Sequence, residues 1–479
     1  MNRSTCGLLK RPWVAIGLTV IAAACAHSPI ISDPGESPGD PPRGTVKEIT
    51  AELSGKSQAV AVFIHGVGDH CPGFALDPDH GWLNDKAVKA IGLVPKADPA
   101  PMSFDILDTE FLPDHPVDQA SKVTVATRTF DLRVSMTELV TLRVIELTWS
   151  QLTQWVKTIQ LGYDLTEATP PPVPSTADCP FKSSLSEKKP PSRVLANRLI
   201  KEQLLDRSLS DALLYSGTYG RVMRRGIAEG LCLALGGTKS EKGKLCKWPQ
   251  LTDERGAPKT AYFFVTHSLG SRLLYDTLLG LTGVDVTNTA GTFTQDEITD
   301  SAPYAEKLLV ETASVFMMAN QLPMLGLAYE DGTHTSTEGP STYEAVVEQL
   351  SLAEKTRGTP VAGGRGPTSV FRTSVVALGV RRLQAAEKRH RTVEPLKVVA
   401  FSDPNDLLSW GIPNWYQRAA SGSQSGLAFT NVYVQNGTHW FGVYESPTDA
   451  HDNYFKTLDV WHVIRCGAAN GSIKACPQK

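Results

Sequence analysis

The stretch that decides the fold covers residues 262–272 and reads Tyr262-Phe263-Phe264-Val265-Thr266-His267-Ser268-Leu269-Gly270-Ser271-Arg272. It begins as a short apolar run, typical of a buried strand, and continues directly into a helical pattern. Ser268 lies at the junction, and Gly270 follows two residues later. A serine at such a turn presents its hydroxyl above the end of the strand, where the first N–H groups of the helix favour negative charge. Ser268 is therefore a candidate nucleophile.

The sequence on either side indicates strands that alternate with helices. After Ser268, leucines recur at the spacing of one helix face: Leu269, Leu273, Leu274, Leu278 and Leu279. Residues 211–235 also have a helical pattern. Short apolar runs at 59–64, 142–147, 261–265, 314–318, 396–401 and 429–434 each end in polar or turn-forming residues. Such runs favour strands buried on both faces. We therefore expect an α/β protein with a mostly parallel central sheet and helices on both faces.

The junction resembles the nucleophile elbow, G-x-S-x-G, of the α/β-hydrolase superfamily, with Thr266 in place of the first glycine. A second similar feature is the apolar run that ends in Ile64-His65-Gly66-Val67. The resemblance implies an α/β-hydrolase fold in which Ser268 is the nucleophile. It also implies an oxyanion hole formed by the backbone N–H groups of Val67 and Leu269.

The acid of this superfamily follows the serine in the chain, and the histidine comes last. The run at 396–401 is followed by Ser402-Asp403-Pro404-Asn405-Asp406-Leu407-Leu408. We favour Asp406 as the acid, because an aspartate followed by two apolar residues resembles the family pattern. Asp403 is the alternative. The aspartate that is not catalytic would shape the turn or cap the next helix, a common role for Asp beside Pro and Asn.

Two of the histidines after the last predicted strand are candidates for the base. His451, in Ala450-His451-Asp452-Asn453-Tyr454, resembles the histidine loop of many bacterial lipase-like hydrolases, and His439, in Gly437-Thr438-His439-Trp440, is the alternative. In the implied triad, His451 takes the proton of Ser268 and passes it to the leaving group, while Asp406 holds the correct tautomer. The resemblance implies neither a metal nor an organic cofactor.

A metal site is a rival interpretation of the residues after the first predicted strand. His65, Asp69 and His70 fit three of the four positions in the H-x-H-x-D-H motif of metallo-β-lactamase-like hydrolases. The remaining position is Val67, whose side chain cannot bind a metal. Because zinc sites need three or four correctly placed ligands, we favour the serine mechanism and predict no metal site.

The N-terminal residues resemble a bacterial lipoprotein signal. Arg3, Lys10 and Arg11 precede an apolar run at 14–24, which is too short to cross a hydrocarbon core of about 30 Å. The run ends in Ile21-Ala22-Ala23-Ala24-Cys25, which resembles a lipobox. We expect a signal peptide at 1–24, lipidation of Cys25 and a flexible tether at 25–47, rich in Pro, Gly, Ser and Asp. Ordinary cleavage and a soluble secreted product are the alternative.

Residues 48–479 are predicted to form the α/β-hydrolase domain. Long segments at about 68–141, 151–258 and 321–395 separate its apolar runs, and we interpret them as insertions. The third lies where this superfamily commonly carries a lid or cap. Without Cys6 in the predicted signal peptide and the lipidated Cys25, six cysteines remain. An even number is compatible with disulfide bonding in an exported protein. We expect the disulfides Cys232–Cys246, Cys466–Cys476 and Cys71–Cys179, with free thiols or other pairings as alternatives.

Composition limits the classes of function. The chain has 479 residues, of which 41% are hydrophobic and 20% charged, a balance typical of globular proteins. Its formal net charge is −3 and it has no basic stripe, which argues against nucleic acid as a partner. We expect an exported serine hydrolase of the cell envelope, similar to carboxylesterases and lipases, that acts on a small-molecule or lipid ester. A peptidase or acyltransferase with the same triad, or a non-catalytic surface-binding lipoprotein, are the alternatives.

Overall fold

A computed structural model of the chain describes residues 29–34, 44–96, 102–105, 122–135, 137–161, 194, 197, 200–240, 244–249, 260–284, 292–327, 374–414, 416, 426–437 and 445–474. Statements about structure below concern these residues.

Ten strands form one sheet in the described part of the chain. They are β1 (Ile30–Ser32), β2 (Gln58–Ile64), β3 (Leu93–Pro95), β4 (Met102–Asp105), β5 (Lys122–Arg133), β6 (Leu139–Thr148), β7 (Thr260–His267), β8 (Thr312–Met318), β9 (Leu396–Ser402) and β10 (Leu427–Tyr433). Their order is β1-β10-β9-β8-β7-β2-β6-β5-β3, with β4 beside β5. Neighbours from β10 to β6 are parallel, and the outer pairs are antiparallel. The six predicted strands and the mostly parallel α/β sheet are confirmed.

Helices follow most of the parallel strands. They are α1 (Ile49–Leu53), α2 (Asp85–Ile91), α3 (Gln151–Leu161), α4 (Ser210–Ser216), α5 (Gly220–Ala234), α6 (Leu269–Leu281), α7 (Gln295–Glu311), α8 (Leu322–Leu327), α9 (Ser374–Lys388), α10 (Pro447–Asp452) and α11 (Leu458–Cys466). A π-helix, Ile200–Leu209, leads into α4, and a 3₁₀ turn, Tyr454–Lys456, joins α10 to α11. A small hairpin of β11 (Ala468–Ala469) and β12 (Ser472–Ile473) follows. The helical pattern predicted at 211–235 is confirmed as α4 and α5, with a break between them.

Apolar cores lie on both faces of the sheet. In β2, Val60 and Val62 pack in the layer that includes α5, α6, α7 and α9, whereas Ala61 and Phe63 pack in the opposite layer with α2 and α11. Both faces of β2 are therefore buried. This explains why its sequence is a continuous apolar run and does not alternate between apolar and polar residues.

Parts of the segment 25–47, for which the sequence predicts a flexible tether, have β-structure. Ile30–Ser32 forms β1 and pairs antiparallel with β10 at the edge of the sheet. The side chain of Ile31 is fully buried. Near the end of the segment, Val46 forms a β-bridge with Ala468. An apolar residue such as Ile31, although it lies in a Pro- and Gly-rich stretch, thus packs at the edge of the sheet beside β10. Its burial offsets the entropy cost of ordering the backbone.

Two of the predicted insertions belong in part to the scaffold. The segment 68–141 supplies β3, β4 and β5, which extend the sheet beyond β6. Within 321–395, α9 packs its apolar face in the core, so this part is a helix of the α/β layers and not a cap. Residues 328–373, the remainder of the predicted cap, lie outside the described residues.

Disulfide bonding is confirmed for one predicted pair, Cys232–Cys246. Cys71 and Cys466 are also disulfide-bonded, and their expected partners, Cys179 and Cys476, lie outside the described residues. Among the helices that the structure describes, none combines the length and the apolar character needed to cross a membrane.

Candidate active site

Ser268 lies in a tight turn between β7 and α6. Its backbone has φ 51° and ψ −125°, a conformation that is strained for a residue with a side chain and that is found mainly where function requires it. Two glycines allow the close packing around it. A Cβ atom on Gly66 would lie 2.5 Å from the Cβ of Ser268, and one on Gly270 would lie 2.5 Å from the carbonyl oxygen of His65. The end of β2 therefore touches the serine turn directly.

Strand β8 fixes this turn from the other side. The N–H of Ser268 donates to the carbonyl oxygen of Met318 at 2.8 Å. Thr266, at the elbow position where the family has glycine, has its Oγ1 2.8 Å from Ser271 Oγ and donates to the Phe316 carbonyl at 3.3 Å. Hydrogen bonds thus accommodate a side chain at this position.

The hydroxyl of Ser268 is buried and has no hydrogen-bond partner in the part of the chain that the structure describes. The residue is 1% exposed, and its Oγ accepts or donates no hydrogen bond among the described residues. Nε2 of His451 is likewise buried without a hydrogen-bond partner in this part of the chain. A buried polar atom without a partner costs free energy, so two of them in one site call for a functional explanation.

The other ring nitrogen of His451 binds Asp406. His451 Nδ1 donates to the two carboxylate oxygens of Asp406 at 2.9 and 3.0 Å. Asp406 also accepts from the hydroxyl of Tyr454 at 3.0 Å and from the N–H of Leu408 at 2.9 Å. These contacts leave the proton of His451 on Nδ1 and the lone pair on Nε2, which is the tautomer that a general base needs.

Charge and burial act in opposite directions on His451. Burial lowers the pKa of His451, but the hydrogen bond and the negative charge of Asp406 outweigh it, so the pKa is raised above 6.5. This direction matches a base that is stabilised once it has accepted a proton.

Asp403, the alternative acid, holds the turn instead. Its Oδ1 accepts from the N–H of Asn405 at 2.8 Å, and its Oδ2 accepts from the N–H of Asn436 at 2.6 Å. The structure therefore brings Asp406, and not Asp403, to His451. The alternative base, His439, lies outside the described residues.

Val67 and Leu269, the two predicted oxyanion donors, lie next to the Ser268 turn. Val67 follows the end of β2, and Leu269 is the first residue of α6, so its N–H lies at the positive end of a 13-residue helix. Both residues are buried. Neither N–H donates to an acceptor in the described part of the chain. Val67, in the loop after β2, and Leu269, at the start of α6, therefore lie on either side of the Ser268 turn.

The sequence did not single out two residues that shape this site. His267 donates from Nε2 to the carbonyl oxygen of His451 at 2.8 Å, and its Nδ1 is buried without a partner among the described residues. Burial, together with the nearby His451, lowers its pKa well below 6.5, so His267 stays neutral. Tyr454 connects the N–H of Asp403 to the carboxylate of Asp406. Only the Ala-His-x-x-Tyr spacing pointed towards Tyr454.

One group of side chains has the composition of a metal site. His267, His451 and Asp452 offer ligand atoms that lie within 4.8 Å of one another. His267 and His451 each already use one ring nitrogen in the hydrogen bonds described above. Each histidine has one nitrogen left as a ligand atom.

His65 and Asp69, two residues of the rival metal pattern, are bound to other protein groups. His65 accepts the N–H of Trp149 at Nε2, at 2.9 Å, and donates from Nδ1 to the carbonyl of Gly66, also at 2.9 Å. Asp69 forms an ion pair with Lys157 at 3.3 Å. His65 therefore has both nitrogens engaged with protein groups, which removes a ligand from the pattern of His65, Asp69 and His70.

Comparisons with protein-family models, curated proteins and solved structures give no match for this chain.

Proposed function

We propose that this chain is a serine hydrolase of the α/β-hydrolase type that cleaves carboxylic esters through an acyl-enzyme intermediate. Ser268 is the nucleophile and His451 is the general base and acid. Asp406 orients His451 and stabilises its protonated form. The observation that carries the proposal concerns two buried atoms, Ser268 Oγ and His451 Nε2, which have no hydrogen-bond partner among the described residues, while Asp406 binds the other side of the imidazole.

The reaction follows from the proton positions. Ser268 attacks the ester carbonyl while Nε2 of His451 takes the hydroxyl proton, and the carbonyl oxygen becomes an oxyanion that accepts from the N–H groups of Val67 and Leu269. The intermediate collapses when His451 returns the proton to the departing alcohol. Water then attacks the acyl-enzyme by the same route, with His451 again as base, and releases the acid and free Ser268.

The surroundings of the triad support an apolar ester as substrate. Trp82 and Phe455 stack with ring centroids 3.9 Å apart, and the ring of Trp82 lies 5.6 Å from that of His267. Phe455 belongs to the apolar core on this face of the sheet and Trp82 packs against it, so the two rings keep water away from the neighbourhood of His267 and favour an uncharged substrate. The chemistry moves only a proton and an acyl group, so the proposal requires no cofactor.

Export and lipid anchoring belong to the same proposal. The lipobox-like Cys25 would tether the enzyme to a membrane of the cell envelope, where lipid and small-molecule esters are available. Disulfide bonding of Cys232 with Cys246 supports an oxidising compartment.

Labelling with a fluorophosphonate tests the nucleophile. The purified protein is expected to label and to hydrolyse nitrophenyl esters, and Ser268→Ala is expected to do neither. Ser301→Ala is the matched control, because it removes a buried hydroxyl that donates to the carbonyl oxygen of Leu281, at the opposite end of α6; it should keep both activities. Labelling that persists in Ser268→Ala, or a folded protein without label and turnover, would refute the assignment.

A further inference from the structure

Three charged side chains are buried together beside the loop that follows β2. Lys157 on α3 lies 3.0 Å from Asp211 on α4 and 3.3 Å from Asp69 in the loop, measured from Nζ to the carboxylate oxygens. Their side chains are 1%, 0% and 3% exposed, respectively. Charged groups are almost never buried to this extent unless they are paired. The two helices come from a segment that the sequence marked only as an insertion.

Asp211 also binds the backbone of the loop. Its Oδ2 accepts the N–H of Gly68 at 2.8 Å. Gly68 has φ +101°, a backbone conformation that glycine adopts without strain. The residue before it is Val67, whose N–H is one of the two proposed oxyanion donors. Asp211 therefore fixes the peptide group next to that donor.

The ends of the same loop are held by the segment between β6 and α3. The N–H of Trp149 donates to His65 Nε2 at 2.9 Å, and Ser150 Oγ accepts the N–H of His70 at 2.9 Å. Lys157 and Asp211 hold the middle of the loop, at Asp69 and Gly68. The loop 65–70 is thus fixed at both ends and at its centre.

Stability alone is a poor explanation for this arrangement. The desolvation of buried charges offsets most of their attraction, and apolar side chains of similar volume often replace buried ion pairs without loss. The carboxylate of Asp211 does what an apolar side chain cannot, because it directs one oxygen to an ammonium and the other to a backbone N–H. Burial lowers the pKa of Lys157, but the two carboxylates outweigh this and raise it. Lys157 therefore stays charged at neutral pH.

We propose that Asp211 and Lys157 are positioning residues that hold the loop 65–70 so that the N–H of Val67 points at the oxyanion. The inference rests on the proposed hydrolase function. Asp211 and Lys157 act through Gly68 and Asp69, not on the substrate. Oxyanion donors contribute only when they are aligned before the reaction, and a displacement of about 1 Å can reduce the rate about 100-fold.

The test compares Asp211→Ala and Asp211→Asn with a matched control in the full-length protein. Glu297 on α7 is the control, because it also pairs with a buried cation, Arg225, at 2.6 Å and accepts a backbone N–H, that of Leu245, at 2.8 Å. Four quantities are measured for each variant: kcat and KM for a nitrophenyl ester, the midpoint of thermal unfolding, and hydrogen exchange of the peptide that contains Gly68.

Asp211→Ala should lower kcat about 10–100-fold, with KM within about twofold, and should accelerate exchange at Gly68. Asp211→Asn has the same shape and keeps an oxygen that can accept from Gly68, so its kcat should fall less. Glu297→Ala should lose thermal stability but keep kcat. If folded Asp211→Ala keeps wild-type kcat, or if Glu297→Ala loses as much kcat, the positioning role is overturned. Should Asp211→Ala not fold, unchanged kcat together with faster Gly68 exchange in Asp211→Asn overturns it.

The two proposals fail in different ways. Wild-type protein without turnover that depends on Ser268 refutes the hydrolase function, and the positioning role falls with it. Wild-type turnover with normal kcat in both Asp211 variants refutes the positioning role alone.

Discussion

Asp406 and Asp403 have different hydrogen-bond partners, and this difference predicts different effects of the same substitution. Asp406→Asn removes the charge that stabilises the protonated His451 and favours the wrong tautomer of the ring. In a Ser-His-Asp hydrolase this change lowers kcat by about 10⁴-fold. Turnover of a nitrophenyl ester by the purified variant measures the effect.

Asp403→Asn is the matched control. The Asp403 carboxylate accepts from the side chain of Asn405, and its two oxygens accept from the backbone N–H groups of Asn405 and Asn436. The amide group can accept one of these but not both, which should cost about 1–3 kcal/mol of unfolding free energy. Its kcat should remain within a few-fold of wild type. A larger loss of kcat in Asp403→Asn than in Asp406→Asn would reverse the assignment of the acid.

The pKa of His451 predicts the pH dependence of the reaction. His451 must be neutral to accept the proton of Ser268, so kcat/KM should fall as the pH decreases through the pKa of this residue. Because Asp406 raises that pKa above 6.5, the acid limb should lie above pH 6.5 in the wild type. His267 has a pKa well below 6.5 and should not contribute to this limb.

In Asp406→Asn, the hydrogen bond to a carboxylate and the charge of Asp406 are gone, while burial still lowers the pKa of His451 and Asp452 still raises it. The pKa, and with it the acid limb, should therefore move to lower pH. The profile of kcat/KM between pH 5 and pH 9, measured on both proteins, tests this direction. A limb at the same pH in both proteins would show that another group controls it.

Local sequence patterns predict the members of the proposed triad better than the residues that position the loop beside it. Ser268, Asp406 and His451 each follow a strand in a short pattern, and the structure brings Asp406 to His451 as expected. Asp211 contacts Gly68 across 143 residues of chain, and no short pattern connects them. A single sequence carries little information on such contacts, because pairing of buried charges depends on how the helices pack.

At the scale of elements, the packing of α6 against β2 controls the serine turn. In Gly270→Ala, the new Cβ would lie 2.5 Å from the carbonyl oxygen of His65 and 2.7 Å from that of Ile64. Backbone atoms cannot rotate away, so α6 has to move from β2 and carry Ser268 with it. We expect a loss of about 1–3 kcal/mol in unfolding free energy and a lower kcat, measured by thermal unfolding and ester turnover.

Gly217→Ala is the control for this change. Its Cβ would meet nothing closer than 3.5 Å, and its φ of −91° suits alanine. Stability should remain within about 0.5 kcal/mol of wild type, with normal turnover. Equal effects of the two substitutions would mean that the contact between α6 and β2 does not control the turn.

Strands were predictable where both faces are buried, and less so elsewhere. The central strands have continuous apolar sequences, whereas β5 alternates apolar and polar residues at Val123-Thr124-Val125 and at Phe130-Asp131-Leu132. Thr124 is buried and Asp131 is half-buried. This alternation is typical of an antiparallel strand near the edge of a sheet, where one face is partly solvated. The short β1 has only Ile30 and Ile31 as apolar residues, too few for any periodicity.

Across the whole molecule, the parallel strands place the residues of the candidate site at one edge of the sheet. Ile64 of β2 pairs with Thr266 of β7, and Met318 of β8 pairs with Phe401 of β9. The carboxyl ends of these strands therefore lie side by side, and each is followed by a loop or turn that supplies part of the site. Ligands of open α/β sheets bind at this edge, which agrees with the proposed position of the ester.

Lipidation of Cys25 would place this molecule close to a membrane. The strand β1 begins at Ile30, so the chain from Cys25 to the sheet can extend about 17 Å at most. We expect the wild-type protein to partition into the detergent phase of a Triton X-114 extract and Cys25→Ser to move to the aqueous phase, because the acyl chains supply the anchoring free energy. Cys6→Ser is the matched control and should stay in the detergent phase, since Cys6 lies within the predicted signal peptide. Retention of Cys25→Ser in the detergent phase would contradict lipidation at this cysteine, whereas turnover by the aqueous Cys25→Ser protein would show that catalysis does not depend on the anchor.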